Sequence, residues 1–246
     1  MSENARLTPL RIPTLRTVVV GSRLVLCDKT ASTNLLAWEA GGDGTVVIAE
    51  TQTAGKGRHG RSWHSAPGLG LWFSIALEDA LDGISLAAAL AVRNALDPIC
   101  APAIKWPNDL LLDGKKFCGI LVEQRNGRTV VGIGINVHHR PDDFPPDLKD
   151  KATSVEWGTG RSCDRGAILH AVLTAFDEQV MVLRSGDYDR VREEWADACR
   201  IKGRMVRSDG LEGTVVDIDT QGALVLRTRQ GDRRLISGEI HVVEGV

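Results

Sequence analysis

The sequence predicts an α+β fold with a small β-barrel at its C-terminal end. Between residues 17 and 136, short β-branched runs are interleaved with one alanine- and leucine-rich helix, which argues against a regular βαβ alternation. Beyond Arg200 the pattern changes to short alternating strands separated by X-Gly turns, which is typical of a small barrel. We therefore expect a flexible tail over residues 1–15, a main domain over 16–200 and a small domain over 201–246.

The predicted strands are β-branched and apolar runs that lie between polar turn residues. One strand ends just before Ser32, and Asn126-Gly127 marks a hairpin turn. The other strands of the main domain are predicted at 45–49, 71–77, 103–106, 117–123 and 129–137. Those of the small domain are predicted at 204–207, 213–217, 223–229 and 233–236.

Three helices follow from composition and periodicity. The alanine- and leucine-rich run 84–99 is expected to stop at Pro98. Apolar residues recur at helical spacing over 166–183, and a shorter helix is predicted at 189–198. The proline-containing segment 140–151 is predicted as a polar loop.

Composition excludes several classes of protein. The chain has 246 residues and 43% hydrophobic content, enough for a sizeable core, and its formal net charge of -2 argues against a bulk nucleic-acid binder. Its five cysteines form no C-x-x-C pair, which indicates reduced thiols and a cytoplasmic protein. No run approaches the roughly eighteen apolar residues of a membrane span, so we expect no membrane association.

The segment 49–70, AETQTAGKGRHGRSWHSAPGLG, contains a literal G-x-G-x-x-G at Gly55, Gly57 and Gly60. A dinucleotide-binding fingerprint requires a helix to begin inside this motif, so that its N-terminus meets the pyrophosphate. The proline and glycines that follow Gly60 exclude a long helix. We therefore reject the Rossmann interpretation.

What remains is a glycine-rich loop that carries Lys56, Arg58, His59 and Arg61. Glycine flexibility and mutual repulsion of the cations predict poor order without a ligand. Exposed backbone N–H groups and guanidinium forks suit a polyanion such as a nucleoside triphosphate. A solvated basic surface loop is the alternative, and this stretch alone does not decide between them.

Four other clusters are candidates for chemistry, each with an ordinary structural alternative. Residues 32–34, STN, offer hydroxyls for binding, but they could also serve only as a helix cap. Residues 105–109, KWPND, offer an amide and a carboxylate, but a turn of this composition is also ordinary. Lys115 and Lys116 precede a strand, and the glycines of 132–136, GIGIN, mark a close approach of backbone or ligand. His138 and His139 point to opposite faces of an extended segment, so no side-chain motif predicts a metal site.

The order of these clusters closely resembles biotin protein ligases. STN, QTAGKGRHGRSW, KWPND, KK-x-x-GILVE, GIGIN and the terminal DTQGALVLRTRQGDRRLISGEI follow one another from about Cys27 to the end, and the G-[RK]-G-R-x-G-R loop is the most specific of them. The resemblance implies a catalytic domain related to class II aminoacyl-tRNA synthetases and lipoate ligases, followed by an SH3-like domain. Since there is no room for a helix-turn-helix domain before Ser32, we expect the monofunctional type, without sequence-specific DNA binding.

The family resemblance also implies the reaction. Biotin and MgATP give biotinyl-5′-AMP and pyrophosphate, and the biotinyl group then passes to one lysine of a biotin carboxyl carrier protein domain of a carboxylase. The Mg²⁺ is expected to bind mainly through the ATP phosphates. Family members occur as monomers and as homodimers, and both states stay open for this chain.

Site residues are carried over by matching motif positions. The implied biotin-binding residues are Ser32, Thr33, Gln52, Gly55, Lys56, Arg58, Lys116 and Gly119. The implied ATP-binding residues are Arg58, Arg61, Trp63, Asn108, Lys116 and Asn136. The implied catalytic residues are Lys116, Arg58, Arg61 and Asp109. Lys56 stands where arginine is common in the family. The terminal segment GEIHVVEGV lacks an arginine that some members have after GEI, so it stays open whether the small domain contacts the nucleotide.

Three rival hypotheses fit parts of the pattern. A lipoate ligase also adenylates a carboxylate, but it needs no Ser and Gln to match a ureido ring. A nucleic-acid-binding module is suggested by the basic loop, Trp63 and the terminal barrel, against the acidic balance of the chain. A regulatory biotin-binding protein without ligase activity is the third.

Overall fold

A computed structural model of the protein describes residues 10–208, 210–238 and 240–243. Residues 1–9 of the predicted tail lie outside these ranges. Within the rest of it, Leu10, Ile12 and Leu15 are partly buried and pack against the main hydrophobic core. The expectation of a loose tail therefore does not hold for residues 10–15.

A seven-stranded mixed sheet forms the centre of the main domain. Its order is β1-β2-β3-β7-β6-β5-β4, with β1 and β2 parallel and every other pair antiparallel. The strands are β1 (Arg23–Thr30), β2 (Thr45–Gln52), β3 (Gly70–Leu77), β4 (Ala103–Lys105), β5 (Asp109–Leu112), β6 (Lys115–Arg125) and β7 (Arg128–Asn136). The predicted hairpin turn joins β6 to β7, and Asn126 and Gly127 both have positive φ there, as a type I′ turn requires.

Helices cover both faces of this sheet. They are α1 (Thr33–Ala40), α2 (Ile84–Cys100), α3 (Val155–Thr159), α4 (Arg165–Arg184) and α5 (Tyr188–Cys199). Strand side chains alternate between two cores: Val46 faces the large core beneath α2 and α4, whereas Val47 faces the small core beneath α1. This alternation holds α1 against the central strands.

Helix α2 runs past Pro98, contrary to the predicted stop there. The proline lies in the last turn, so its missing N–H removes only one helical hydrogen bond. The helix closes two residues later, where the Ala101 N–H donates to the Asp97 carbonyl at 3.3 Å.

Among the described residues, α4 is long and apolar enough to cross a membrane by length and composition alone, with a mean hydropathy of 1.3. More than half of that stretch, 56%, is buried inside the protein. Its apolar face packs against α2, with Leu169, Val172 and Phe176 buried. This is the environment of a core helix.

The C-terminal strands form a five-stranded antiparallel sheet of order β11-β10-β9-β8-β12. The strands are β8 (Met205–Ser208), β9 (Leu211–Ile218), β10 (Leu224–Thr228), β11 (Gly231–Leu235) and β12 (His241–Val242). Its apolar face continues the large core, and the Trp106 Nε1–H donates to the Gly222 carbonyl at 2.9 Å. An SH3-like closure of this sheet stays a prediction.

Most predicted elements are present within two or three residues of their expected ends. The elements without a sequence signal are β5, β12 and α3, each of five residues or fewer. Strand β2 continues three residues beyond its predicted end at Ala49. This extension includes Gln52, which lines the cavity described below.

Candidate active site

A cavity of about 300 Å³ lies between the N-terminus of α1, the strands β5 to β7, the glycine-rich loop and the segment 144–152. It is lined by all of the predicted site residues except Gly55: Ser32, Thr33, Gln52, Lys56, Arg58, Arg61, Trp63, Asn108, Asp109, Lys116, Gly119 and Asn136. The tertiary structure therefore brings together motifs that are more than a hundred residues apart in the chain. Their individual roles stay predictions.

Gly55 is not among the residues that line the cavity. A Cβ there would come within 2.7 Å of the Trp63 carbonyl oxygen, and the Trp63 N–H donates to the Gly55 carbonyl at 2.8 Å. Lys56 pairs with Ser62 in an isolated antiparallel bridge, and Arg58–Gly60 form a 3₁₀ turn between them. The loop is thus a closed hairpin whose backbone groups bond across it, and its order without a ligand stays a prediction.

Neutral polar groups form one wall. Ser32 is the N-cap residue of α1, but its side chain makes no capping hydrogen bond, so a cap does not account for this hydroxyl. The Thr33 N–H donates to Gln52 Oε1 at 2.8 Å, and Gln52 Nε2 donates to Ser65 Oγ at 2.9 Å. Ser32, Thr33 and Ser65 are all buried. These hydrogen bonds hold the polar groups of Thr33 and Gln52 in place along the cavity lining.

Glycines on β6 and β7 form the floor, as the close-approach interpretation of GIGIN predicted. A Cβ on Gly134 would lie 2.5 Å from the Trp63 indole, and one on Gly119 would lie 2.8 Å from it. The indole also packs edge-on against Trp72, with ring centroids 6.2 Å apart. Trp63 therefore lies flat on backbone that only glycine leaves open.

Cations form a further part of the lining. Lys116 Nζ lies 2.6 Å from Asp109 Oδ1 and 5.2 Å above the Trp63 ring. Arg58 donates to Asn108 Oδ1 at 3.3 Å. Partial burial lowers the pKa of the Arg58 guanidinium, Asp109 partly opposes that shift, and Arg61 adds to it. A partly buried guanidinium beside a second cation is an environment that favours a bound anion.

Several lining residues carried no sequence signal. Asn34 was noticed only as part of the STN motif, and Phe144, Leu148 and Lys151 belong to the segment predicted as a polar loop. The Phe144 and Leu148 side chains form an apolar wall because the segment folds back, with the Lys116 N–H donating to the Lys151 carbonyl at 2.8 Å. Gly238 of the small domain also lines the cavity. The small domain therefore reaches the site through a glycine, near the place where the arginine is missing.

His139 supports this wall from behind. Its ring is fully buried, stacks on Phe144 at 4.8 Å between centroids, and lies 6.2 Å from the His64 ring of the glycine-rich loop. Burial, followed by repulsion from His64, lowers the pKa of His139 to about 4. The imidazole is thus neutral near pH 7 and acts as packing between the two loops that enclose the cavity.

Comparison with known proteins agrees with this geometry. Residues 26–139 match the model of the Biotin/lipoate A/B protein ligase family, and residues 200–243 match that of the Biotin protein ligase C terminal domain. The biotin–[acetyl-CoA-carboxylase] ligase of Mycobacterium tuberculosis is 34% identical over 252 residues, covering 92% of this chain and 93% of the relative. The chain belongs to the biotin protein ligase family.

Other biotin protein ligases support the assignment. The bifunctional ligase/repressor of Bacillus subtilis is 34% identical over 93% of this chain and 76% of its own length. The structure of the Aquifex aeolicus biotin protein ligase in complex with biotin and ATP superposes with a TM-score of 0.78 at 30% identity, covering 91% of this chain and all of that chain. The predicted family, α+β fold and ligase class are thereby confirmed.

Proposed function

We propose that this ligase activates biotin with ATP as biotinyl-5′-AMP and transfers the biotinyl group to one lysine of a biotin carboxyl carrier protein. The observation that carries the proposal is the charge asymmetry of the cavity. Within the described part of the chain, six lysine and arginine side chains line it, and Asp109 is its one carboxylate. The Aquifex aeolicus relative binds biotin and ATP, and the Mycobacterium tuberculosis relative is named for acetyl-CoA carboxylase.

In the first step, a biotin carboxylate oxygen attacks the α-phosphorus of ATP. Two anions about 4 Å apart repel by roughly 4 kcal/mol at an effective dielectric of 20, so cations must be placed between them. Lys116, Arg58 and Arg61 line the cavity on the side that would receive these groups. An acyl O–P bond forms, the bond from the α-phosphorus to the bridging oxygen breaks, and pyrophosphate leaves.

In the second step, the ε-amine of the carrier lysine attacks the acyl carbon of the adenylate. The new amide N–C bond forms, the acyl C–O bond breaks and AMP leaves. Asp109 is the carboxylate available in the cavity to take the proton from the incoming ammonium. Its contact with Lys116 at 2.6 Å also holds that ammonium beside the reacting groups.

The neutral wall matches the ureido ring of biotin. That ring presents both N–H donors and a carbonyl acceptor, and each would lose a hydrogen bond if buried without a partner. Ser32, Thr33 and Gln52 offer hydroxyl and amide groups to the cavity. A lipoate ligase would need no wall that matches a ureido ring, so this wall favours biotin as the substrate.

The donor set also fits a magnesium ion that is bound mainly by phosphate oxygens. Mg²⁺ keeps several waters and takes one or two protein carboxylates together with substrate phosphates, and the cavity supplies Asp109 with Asn108 beside it. When bound, the ion would neutralise charge on the phosphates. The five thiols, which form no disulfide, accord with a cytoplasmic location.

The glycine-rich loop would retain the adenylate. A mixed anhydride open to water hydrolyses and acylates stray lysines, so a cover that excludes water protects it. Trp63 and Arg58 lie on the inner side of this loop and would contact the adenine and the phosphates.

The decisive experiment is biotin-dependent exchange of labelled pyrophosphate into ATP. We expect exchange with biotin, none with lipoate, and at least a hundredfold loss in Lys116→Ala. Lys149→Ala is the matched control, because Lys149 also pairs with an aspartate, Asp142 at 2.9 Å, away from the cavity. Exchange driven by lipoate would transfer the assignment to a lipoate ligase. Tight biotin binding without any exchange would indicate a biotin-binding protein and refute the proposed ligase activity.

A further inference from the structure

A continuous chain of hydrogen bonds runs behind the neutral wall of the cavity. Asn34 Nδ2 donates to Glu123 Oε2 at 2.8 Å, while Asn34 Oδ1 and Thr33 Oγ1 each lie 2.7 Å from Ser74 Oγ. Thr33 in turn contacts Gln52, which continues to Ser65 of the glycine-rich loop. The chain links β6, α1, β3, β2 and the loop in the order Glu123, Asn34, Ser74, Thr33, Gln52 and Ser65.

The direction of this chain is determined at one end by Glu123. A carboxylate only accepts hydrogen bonds, and Arg125 Nη2 donates to the other Glu123 carboxylate oxygen at 3.0 Å. Asn34 must therefore turn its NH₂ group to Glu123 and its carbonyl oxygen to Ser74. Because that oxygen can only accept, the single Ser74 hydroxyl proton must go to Asn34.

The consequence reaches Thr33. Ser74 has no second proton, so its 2.7 Å contact with Thr33 requires the Thr33 hydroxyl to donate to Ser74 Oγ. The alternative acceptor of that proton, Gln52 Oε1, lies farther away at 3.2 Å and already receives the Thr33 N–H at 2.8 Å. The Thr33 hydroxyl therefore presents only lone pairs to the cavity that it lines.

Packing prevents the chain from rearranging. Asn34 is buried against β7, where a Cβ on Gly132 would come within 2.1 Å of Asn34 Oδ1. Ser74 is fully buried in register with Gly132. Neither side chain has room for another rotamer without losing a hydrogen bond in a buried place.

We propose that Glu123, Asn34 and Ser74 are positioning residues that make Thr33 Oγ1 a hydrogen-bond acceptor toward the ligand. The site then selects a ring that presents an N–H at that point and discriminates against one whose nitrogen there is alkylated. This inference rests on the proposed function, since it states that an N–H of the biotin ureido ring donates to Thr33 Oγ1.

The test compares biotin with its two mono-N-methylated ureido analogues by calorimetry, in wild-type protein and in Ser74→Ala. We expect the wild type to bind one N-methyl analogue much more weakly than biotin. In Ser74→Ala the Thr33 proton loses its acceptor and can turn toward the cavity. The Kd for biotin should rise about tenfold and the discrimination should shrink by a similar factor, with the KM for ATP unchanged. Glu123→Gln should act in the same direction.

The control variants remove the same groups elsewhere. Ser208→Ala deletes an equally buried hydroxyl of the small domain, and Glu78→Gln neutralises a carboxylate ion-paired to Arg128 at 2.9 Å. Both should keep the wild-type Kd and discrimination. If Ser74→Ala and Glu123→Gln also keep them while biotin-dependent exchange is intact, the positioning role is wrong and the proposed function stands. If wild-type protein does not bind biotin, the proposed function itself fails.

Discussion

Lys116 and Asp109 form an ion pair of 2.6 Å between neighbouring strands β6 and β5, at the edge of a cavity whose other charged side chains are cations. Both side chains are mostly shielded, with 33% and 25% of their surfaces exposed. A pair in such a place is less screened than a surface pair, so each partner strongly influences where the other lies. Asp109 thus holds the lysine that we expect to meet the reacting phosphate.

Asp109→Asn tests this relationship. The amide keeps the shape but loses the charge that holds Lys116, so we expect the rate of adenylate formation to fall about 10- to 100-fold, which corresponds to roughly 1.4 to 2.7 kcal/mol. Pyrophosphate exchange measures this rate. Asp142→Asn, which breaks the exposed pair with Lys149, should leave the rate unchanged. An Asp109→Asn rate equal to that of the wild type would show that the pair is only structural.

Arg58→Gly should weaken retention of the adenylate. Arg58 donates to Asn108 from the glycine-rich loop, and its removal takes away both that contact and a cation from the cavity. We expect released biotinyl-5′-AMP to label many proteins in a mixed lysate, detected by streptavidin blotting. Arg229→Gly, in an exposed turn of the small domain, should label only the carrier. Carrier-specific labelling by Arg58→Gly would contradict this role.

Gly134→Ala should displace Trp63. The added Cβ would lie 2.5 Å from the indole, which cannot shift far because Trp72 packs behind it. If Trp63 contacts the nucleotide, the KM for ATP should rise at least tenfold. Gly158→Ala serves as control, since its Cβ would approach no atom closer than the Leu112 Cδ1 at 3.3 Å among those outside its own helix. A normal KM in Gly134→Ala, with Trp63 fluorescence unchanged, would argue against this position of the ring.

The buried His139 should lower the free energy of unfolding in mild acid. Its pKa is lowered to about 4 in the folded protein, against about 6.5 in an unfolded chain, so the unfolded state takes up a proton first. The free energy of unfolding should therefore be highest above pH 6.5 and fall by up to about 3 kcal/mol between pH 6.5 and 4. Urea unfolding at several pH values measures it. His139→Phe should flatten that slope, and an unaltered slope would contradict the assignment.

Asp177→Asn should destabilise the fold. The carboxylate of this α4 residue accepts the backbone N–H groups of Val18, Val19 and Val20, each at 2.8 Å. An amide would turn its NH₂ group toward one of these donors, so we expect a loss of about 1–3 kcal/mol in the free energy of unfolding. The neighbouring exposed substitution Glu178→Gln should change it by less than about 0.5 kcal/mol.

The fold was predictable where local pattern and burial agree. Strands β3, β6 and β7 and helix α4 follow from their apolar periodicity, because each is buried along its length or on one face. Strand β5 and helix α3 are short and depend on neighbours: β5 exists through its pairing with β4 and β6. Helix α2 ends at Cys100, one residue beyond the predicted run, because a proline in the last turn is tolerated there.

By itself, the sequence determined the chemistry of the site. The cations of the glycine-rich loop, the STN hydroxyls and the strand glycines can be identified from residue type and order alone. Only the tertiary structure decided which of these groups meet. It left Gly55 out of the cavity lining, brought the Lys151 segment and Gly238 to its walls, and connected Glu123 to Thr33 through Asn34 and Ser74. Those relationships depend on strand register and on close packing between distant segments, which leave no trace in local composition.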